Sequence, residues 1–212
     1  MTPLSPKVLS GAIVSYRLPE PVPSVILFQY NPASLQRSME IRAAGGSEGA
    51  SEEAFRIADA PVETIKAEIE FNGTDDGMGG GAEAVAARLA AFELLIAPST
   101  TRVIANTILA KMGTIELLPP QAPFTLFVFG GHRILPVRIT EYSVTENEYE
   151  PSLLPIRAKV SLGMKVLTYS DLPSTHVGHH LYLAHQVAKE VLSKKATVQG
   201  LDAVLGAGAR IL

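Results

Sequence analysis

The sequence predicts a mainly β fold of the α+β kind, in which antiparallel strands pack into sheets or a barrel with one flanking helix in mid-chain and another near the C-terminus. Three observations carry that reading. Several segments place apolar residues at every second position, the period of a half-buried strand. The period turns helical between Val85 and Ile96 and again near the end. Strands and helices do not alternate as a parallel α/β sheet would require. At 212 residues, 47% hydrophobic and 18% charged, the chain is one large domain or a domain with a small appendage, with enough apolar material for a core.

Taken in order, Val8 to Leu18 and Val22 to Tyr30 are apolar, β-branched runs bounded by Pro19, Pro21, Pro23 and Pro32. Proline cannot donate to a ladder, so these read as edge or hairpin strands. Between Ala43 and Glu53 the chain is Gly, Ser, Ala and Glu, which bury little apolar surface and predict a mobile loop that orders only against a neighbour. From Thr64 to Phe71 the period is two, with Ile65, Ala67, Ile69 and Phe71 opposed to Thr64, Lys66, Glu68 and Glu70. Val85, Leu89, Phe92 and Ile96 then predict a helix at about residues 82–97, stopped by Pro98. Thr101 to Met112 fits a helix ending at Gly113 or a strand, because Val103, Ile104, Thr107 and Ile108 serve either.

Phe124 to Phe129 is apolar on both faces, as a central strand would be, and Gly130 and Gly131 can turn it into a strand from Ile134 to Thr145. There the apolar phase slips from Leu135, Val137 and Ile139 to Tyr142 and Val144, which predicts a bulge near Thr140 and Glu141. A last strand opposes Ala158, Val160, Leu162, Met164 and Val166 to Arg157, Lys159, Ser161, Gly163 and Lys165. Gly178 to Lys195 reads as an amphipathic helix with Leu181, Ala184, Ala188 and Val191 inward and Lys189, Glu190 and Lys194 outward. Ala203 to Leu212 is an apolar, Gly/Ala-rich tail of the type that frays or docks on another chain. Residues 1–170 thus form the β domain, and residues 171–212 a helix with an apolar tail.

Composition narrows the chemistry. Eighteen Lys and Arg against twenty-one Asp and Glu give a net charge of -3, so the total implies no broad nucleic-acid surface. With no cysteine, disulfides, thiolate metal sites, iron–sulfur clusters and cysteine nucleophiles are excluded, and any metal would need His, Asp or Glu. Met1 to Lys7 lacks the apolar stretch of a signal peptide, and nothing later approaches the ~18 apolar residues of a membrane span. The chain reads as soluble and initially cytoplasmic, without direct membrane insertion.

Three constellations were weighed for chemistry. Gly77-x-Gly79-x-x-Ala82 follows a strand and opens a helix, as a dinucleotide fingerprint does, which makes a nucleotide-binding enzyme using the loop from Gly77 to Gly81 an alternative reading. Five residues separate Phe71 from Gly77, however, and Asp75 and Asp76 would repel phosphate, so a helix-entry loop fits better. His176, His179, His180 and His185 cluster, and His176 and His180 would share a helix face as two metal ligands should, yet no carboxylate is interleaved; surface or subunit contacts fit them better. Glu146, Glu148 and Glu150 stand at two-residue spacing and could line one strand face, but no His or Lys flanks them as a partner for acid/base work. No Gly-x-Ser-x-Gly elbow is present. These residues assign no catalytic, cofactor-binding or metal site.

Three segments in order resemble the tube and baseplate family of contractile injection systems, the phage-tail-like particles. They are Phe28-Gln-Tyr-Asn-Pro-Ala-Ser-Leu-Gln-Arg-Ser38, Pro123-Phe-Thr-Leu-Phe-Val-Phe-Gly130, and Leu135 through Glu146 running on from Glu150 to Thr168. The resemblance covers about Val8 to Leu172, and Leu181 to Glu190 is similar to the family's terminal helix. It implies a tail-tube-like fold of packed antiparallel sheets with a flanking helix, and subunits that close a hexameric ring by continuing their sheets across neighbours. Length and the helix beyond Thr168 resemble the baseplate-proximal, tube-like members that often carry a LysM domain, although the residues after Ser170 lack the elements of such a module. The implied role is structural and not enzymatic: a ring joining the inner tube above to the spike or hub and baseplate proteins below, without cofactor or nucleic acid, assembled in the cytoplasm into a particle. A tube terminator or cap, or the inner tube subunit itself, is the alternative within that family. Contact elements would be the loop from Ala43 to Glu53, the strand Arg157 to Thr168 and the helix from Gly178.

Overall fold

The computed structural model describes residues 9–17, 23–42, 57, 59–75, 80–98, 100–111 and 122–197, apart from the side chains of residues 102 and 195–197. They form strands β1 (Ala12–Tyr16), β2 (Ser24–Leu27), β3 (Leu35–Glu40) and β4 (Val62–Asn72), helices α1 (Gly81–Ile96) and α2 (Thr100–Lys111), strands β5 (Phe124–Val128), β6 (Ile134–Tyr149) and β7 (Pro155–Val166), and helix α3 (Val177–Thr197). The loop expected at Ala43 to Glu53 and the tail from Ala203 lie outside the described residues.

All seven strands join one sheet in the order β2-β1-β5-β6-β7-β4-β3, every pairing antiparallel. Where the resemblance implied two packed sheets, the described strands make one continuous sheet, and β5 is buried on both faces, as its sequence predicts. The alternation read from β4 and β7 holds: Ile65, Ile69 and Phe71 are buried with Val160, Leu162 and Met164, joined by Ile13, Phe28, Phe127 and Val137 in one core cluster.

Register shows how one sheet acquires an inside. Leu27 pairs with Ala12, Ala12 with Val128 and Val128 with Ile134, so the end of β2 lies in the row of Ile134. Asn72, at the end of β4, pairs with Arg157 and Arg157 with Asn147. On a flat sheet these points would be about 40 Å apart along the strands and about 24 Å apart across them, at ~3.3 Å per residue and ~4.8 Å per strand. Yet Gln29, two residues past β2, hydrogen-bonds Asn72 twice: its amide nitrogen donates to the Asn72 carbonyl at 2.8 Å, and its Oε1 accepts the Asn72 N–H at 2.9 Å. Opposite corners of the sheet meet, which requires the strong coiling and stagger of a barrel wall. Two residues on, Asn31 repeats the device, its Oδ1 accepting the Gly11 N–H at 2.7 Å and its Nδ2 donating to the Leu9 carbonyl at 2.8 Å. Phe28, directly before Gln29, is fully buried beside Phe127.

The predicted bulge is present, with a register slip between Ile139 and Glu141. It keeps Tyr142 and Val144 on the core side, and it sets Glu141 over Gly163, where a Cβ would lie 2.8 Å from the Glu141 Cβ. Only glycine fits beneath the bulge. Helix α1 lies on the core side of the long strands, with Phe92 between Phe71 and Tyr142. Arg17 donates to the carbonyls of Leu94 and Ala97, satisfying groups left open at the helix C-terminus and placing a cation there.

Helix α3 crosses the strands. Gly178 sits so close to Phe124 of β5 that a Cβ would come within 2.9 Å of its ring, while Lys189 reaches Glu63 of β4 at 3.4 Å. Those strands are three spacings apart, about 14 Å, which matches the ~16 Å rise from residue 178 to 189. The inward face of α3 differs from the expected one. Tyr182 is buried, with His185 and Lys189 packed on the same side, whereas Ala184 and Val191 are exposed. Of the helix and the strand that the segment from Thr101 could form, the structure has the helix, α2; strand β3 is a further difference, because Leu35-Gln-Arg-Ser-Met-Glu40 has no apolar alternation and places Arg37 on the core side.

Replacing Gln29 by Ala should lower unfolding free energy by about 1–3 kcal/mol, since the partly buried Asn72 amide and carbonyl both lose a partner. Gln29→Glu should lose a similar amount at neutral pH, because a carboxylate accepts from the N–H but cannot donate to the carbonyl. Urea unfolding of the two variants beside the native chain measures both; native-like stability of either would mean that the corner is held by other contacts.

Candidate functional site

Of the constellations weighed from sequence, Gly77, Gly79 and Asp76 lie outside the described residues. Gly80 and Gly81 at the start of α1 have φ of 112° and 59°, no side chain caps the helix, and Asp75 accepts a hydrogen bond from the Tyr30 hydroxyl. The histidines do not converge as a set, although the rings of His179 and His180 meet edge to face with centroids 5.5 Å apart. His176 precedes α3, accepts the Gly178 N–H at 3.1 Å and sets its ring edge-on to Phe124. His179 faces the Tyr169 carbonyl at 3.1 Å, and His185 faces the His132 carbonyl at 3.1 Å. Among the described residues no three His, Asp or Glu side chains form a metal-holding group. Glu146, Glu148 and Glu150 separate as well. Tyr149 donates to Glu146, Arg157 pairs with Glu148 at 3.1 Å and Ser152 donates to Glu150, while a φ of 56° at Glu148 interrupts the strand alternation.

Sequence reasoning missed the most buried charge among the described residues. Glu63 is 3% exposed, on the inward parity of β4 beside Ile65. Arg37 of β3 reaches its Oε1 with Nε and Nη2, each at 2.6 Å, and Lys189 of α3 approaches its Oε2 at 3.4 Å. Burial pushes the Glu63 carboxyl up, but the two cations outweigh it and hold the group below its ordinary value of 4.5. One helical turn before Lys189, His185 keeps its Nε2 buried with no hydrogen-bond partner among the described residues. Burial, with help from Lys189 and Arg37, lowers its pKa below 6.5, against the His132 carbonyl and Glu63, which favour the charged form. The signal available in sequence was a strand whose inward phase contains a carboxylate, and a helix whose inward phase contains Lys189.

The outside of the sheet divides in two. Over β4, β7 and the far part of β6 it is ionic, with cross-strand pairs Lys66 to Glu141 at 2.9 Å and Lys159 to Glu68 at 2.7 Å. A shallow trough of about 430 Å³ lies there, floored by Gly163 and lined by Gln36, Lys66, Glu141, Ser143 and Ser161. Over β2 and β1 the surface is apolar, with Val25, Leu27 and Tyr16 exposed. Strand β7, expected as a contact element, has a partner on each side and offers only its polar face, whereas the outer edges of β2 and β3 are unpaired among the described strands. Further exposed apolar groups lie on α2 (Val103, Ile104, Ile108, Leu109), on α3 (Leu183, Val187, Val191, Leu192) and at the β6–β7 turn (Tyr149, Leu153). Isolated apolar side chains are ordinary on a surface, but contiguous helix and edge patches mark contact areas.

Acid should loosen the α3 end in two steps. Both groups have depressed pKa values in the fold, so the unfolded chain binds more protons and stability falls with pH. For His185 the loss begins below its unfolded value of 6.5 and for Glu63 below 4.5, each ending at the lower folded value. Glu63→Gln should cost about 2 kcal/mol at pH 7, less than the ~3–5 kcal/mol of a fully buried pair because Arg37 and Lys189 stay partly hydrated. It should also flatten the lower step in denaturation curves recorded from pH 8 to 3, and an unchanged lower step would assign it to other carboxylates.

No protein-family model matches the chain, and a search of curated proteins finds no match to it.

Proposed function

We propose that this chain is a structural, non-enzymatic subunit of a tail-tube-like ring, a hexamer at the junction between the inner tube of a contractile injection particle and its spike or hub. The observation that carries the reading is the coiled sheet with two different open edges, β2 and β3, on one subunit. Unpaired edges are aggregation-prone unless covered, and two unlike edges on one chain suit a heterologous contact that closes by rotation. The division of the outer sheet surface supports it further, since an ion-paired polar half suits a solvent-filled lumen and an apolar half suits neighbours. The sequence resemblance supplies the particle and the ring number. Within the same particle a tube cap or the tube subunit itself uses the same fold, and position in the assembly separates them.

Light scattering of the purified chain, followed by negative-stain imaging of the same sample, tests the proposal. Six-fold rings are the expected result, either from the chain alone or after mixing with the particle's tube and spike proteins. A monomer that neither forms rings nor joins those partners would remove the reading.

A further inference from the structure

Helix α3 is joined to the rest of the fold mainly through polar groups. Of its described side chains only Tyr182 belongs to the buried core cluster, whereas α1 supplies Val85, Leu89, Phe92 and Leu95. Its other inward anchors are His185, facing the His132 carbonyl at 3.1 Å, and Lys189, 3.4 Å from Glu63. Water can replace bonds of that kind once the helix lifts. The stem that leads into α3 is tied separately. Asp171 accepts the Thr168 N–H at 2.9 Å and the Thr168 hydroxyl at 3.0 Å, and the Ser170 hydroxyl donates to Asp59. The Ser170 and Ala60 donors hold Asp59 below its ordinary value of 3.8, so the stem keeps its bonds in mild acid.

His185 is the weak point of the docked helix. A carbonyl only accepts, so Nδ1 must carry the hydrogen that faces His132, and the neutral ring is the Nδ1–H tautomer. Nε2 is then an acceptor, buried and without a partner among the described residues. The charged groups around the ring come from four elements. Lys189 lies one turn along α3, Arg37 comes from β3, and Glu63 of β4 already holds Arg37 on Oε1 and Lys189 on Oε2. From the β5–β6 turn, His132 meets the ring through its carbonyl, and Arg133 lies over the Phe129 ring. A proton on Nε2 makes a buried cation whose new N–H has no acceptor, next to two cations and one anion already in use.

We infer that His185 makes α3 an acid-released clasp: a proton taken up at Nε2 lifts the helix from the end of the sheet as one unit, pivoting after Asp171, while the sheet and α1 stay folded. The inference does not depend on the ring reading. In the lifted state His185 and Lys189 are hydrated cations, Glu63 keeps Arg37, and Tyr182 and the Phe124 ring beneath Gly178 come to the surface. Burial holds the docked ring below 6.5, so the lifted state binds the extra proton; docking is complete above pH 6.5 and release sets in as pH falls below it. Glu63 takes no part in that window, because its carboxyl stays ionised to below 4.5.

Hydrogen exchange of the full chain, read as protection factors from pH 8 to 4, locates the opening. Protection of the α3 amides should fall about tenfold per pH unit below 6.5, the slope of one proton, until the docked ring itself titrates, while amides of β4, β6 and β7 keep theirs. His185→Asn, whose amide still has a donor for the His132 carbonyl but takes up no proton, should make α3 protection level across this range, and His176→Gln should not. Imidazole nitrogen shifts of the native chain give a reading that needs no variant: His185 should start as the Nδ1–H tautomer and titrate together with the release. Sheet and α3 amides losing protection in parallel would make the acid response global and overturn the clasp. A loss confined to pH below 4.5 would move the trigger to Glu63, and a loss that survives His185→Asn, or no loss at all, would overturn the role of His185.

Discussion

The meeting of Gln29 with Asn72 decides whether this sheet has an interior. Seven strands in one sheet are an open, half-wetted surface unless the sheet coils, and α1 with α3 alone cannot cover a flat sheet of that width. A carboxamide suits the task, because it offers one donor and one acceptor in the geometry of a peptide group. Gln29 and Asn31 therefore act as strand residues where strand pairing has stopped, one toward β4 and the other toward the residues before β1. Alternate residues of Phe28-Gln-Tyr-Asn31 serve this purpose, while Phe28 fills the core and Tyr30 bonds Asp75. A short run that resembled a family signature in sequence turns out to be the point where the wall is fastened.

The second constraint is the placement of charge under α3. A buried carboxylate between Arg37 and Lys189 adds little net stability over an apolar replacement, because desolvation offsets most of the attraction. What it changes is orientation. Apolar burial alone would favour turning Leu183 and Val187 inward, but that rotation would strip Glu63 of one of its cations inside the protein and carry His185 away from the His132 carbonyl. Leaving a buried charge underpaired costs more than leaving several apolar groups half exposed. Gly178 reinforces the choice, since only a residue without Cβ lets the first turn approach Phe124.

Much of the sheet could be read from sequence, because apolar and polar residues alternate from Thr64 to Phe71 and from Arg157 to Val166, and the phase slip at Thr140 and Glu141 announces its bulge. The same logic failed at β3, a strand whose core-side positions include Arg37, whose place there makes sense only once Glu63 is seen across the ladder. It failed on α3 for a related reason: the hydrophobic pattern finds the most apolar face, and here a charge pair selects another. Helix α2 stayed open because its residues suit either structure and no packing decides between them. The histidines and the glutamates near 146–150 are visible in sequence as clusters, but chain spacing cannot show that His176, His179, His185 and the three glutamates bond to separate partners.

These failures are informative because they share a direction. In a monomer that keeps to itself, periodicity, propensity and burial agree, and a disagreement at one element marks a place where something beyond the fold shaped the residues. The departures at β3, α2 and α3 come with apolar groups or strand edge that stand outward among the described residues. Polar and titratable side chains on this chain mostly meet one another, in cross-strand pairs or in the Glu63 cluster, with charge already compensated. Among the described residues the fold thus satisfies charge by pairing it within the chain, while the apolar groups of β2, α2 and α3 stand outward because no pairing of that kind holds them in.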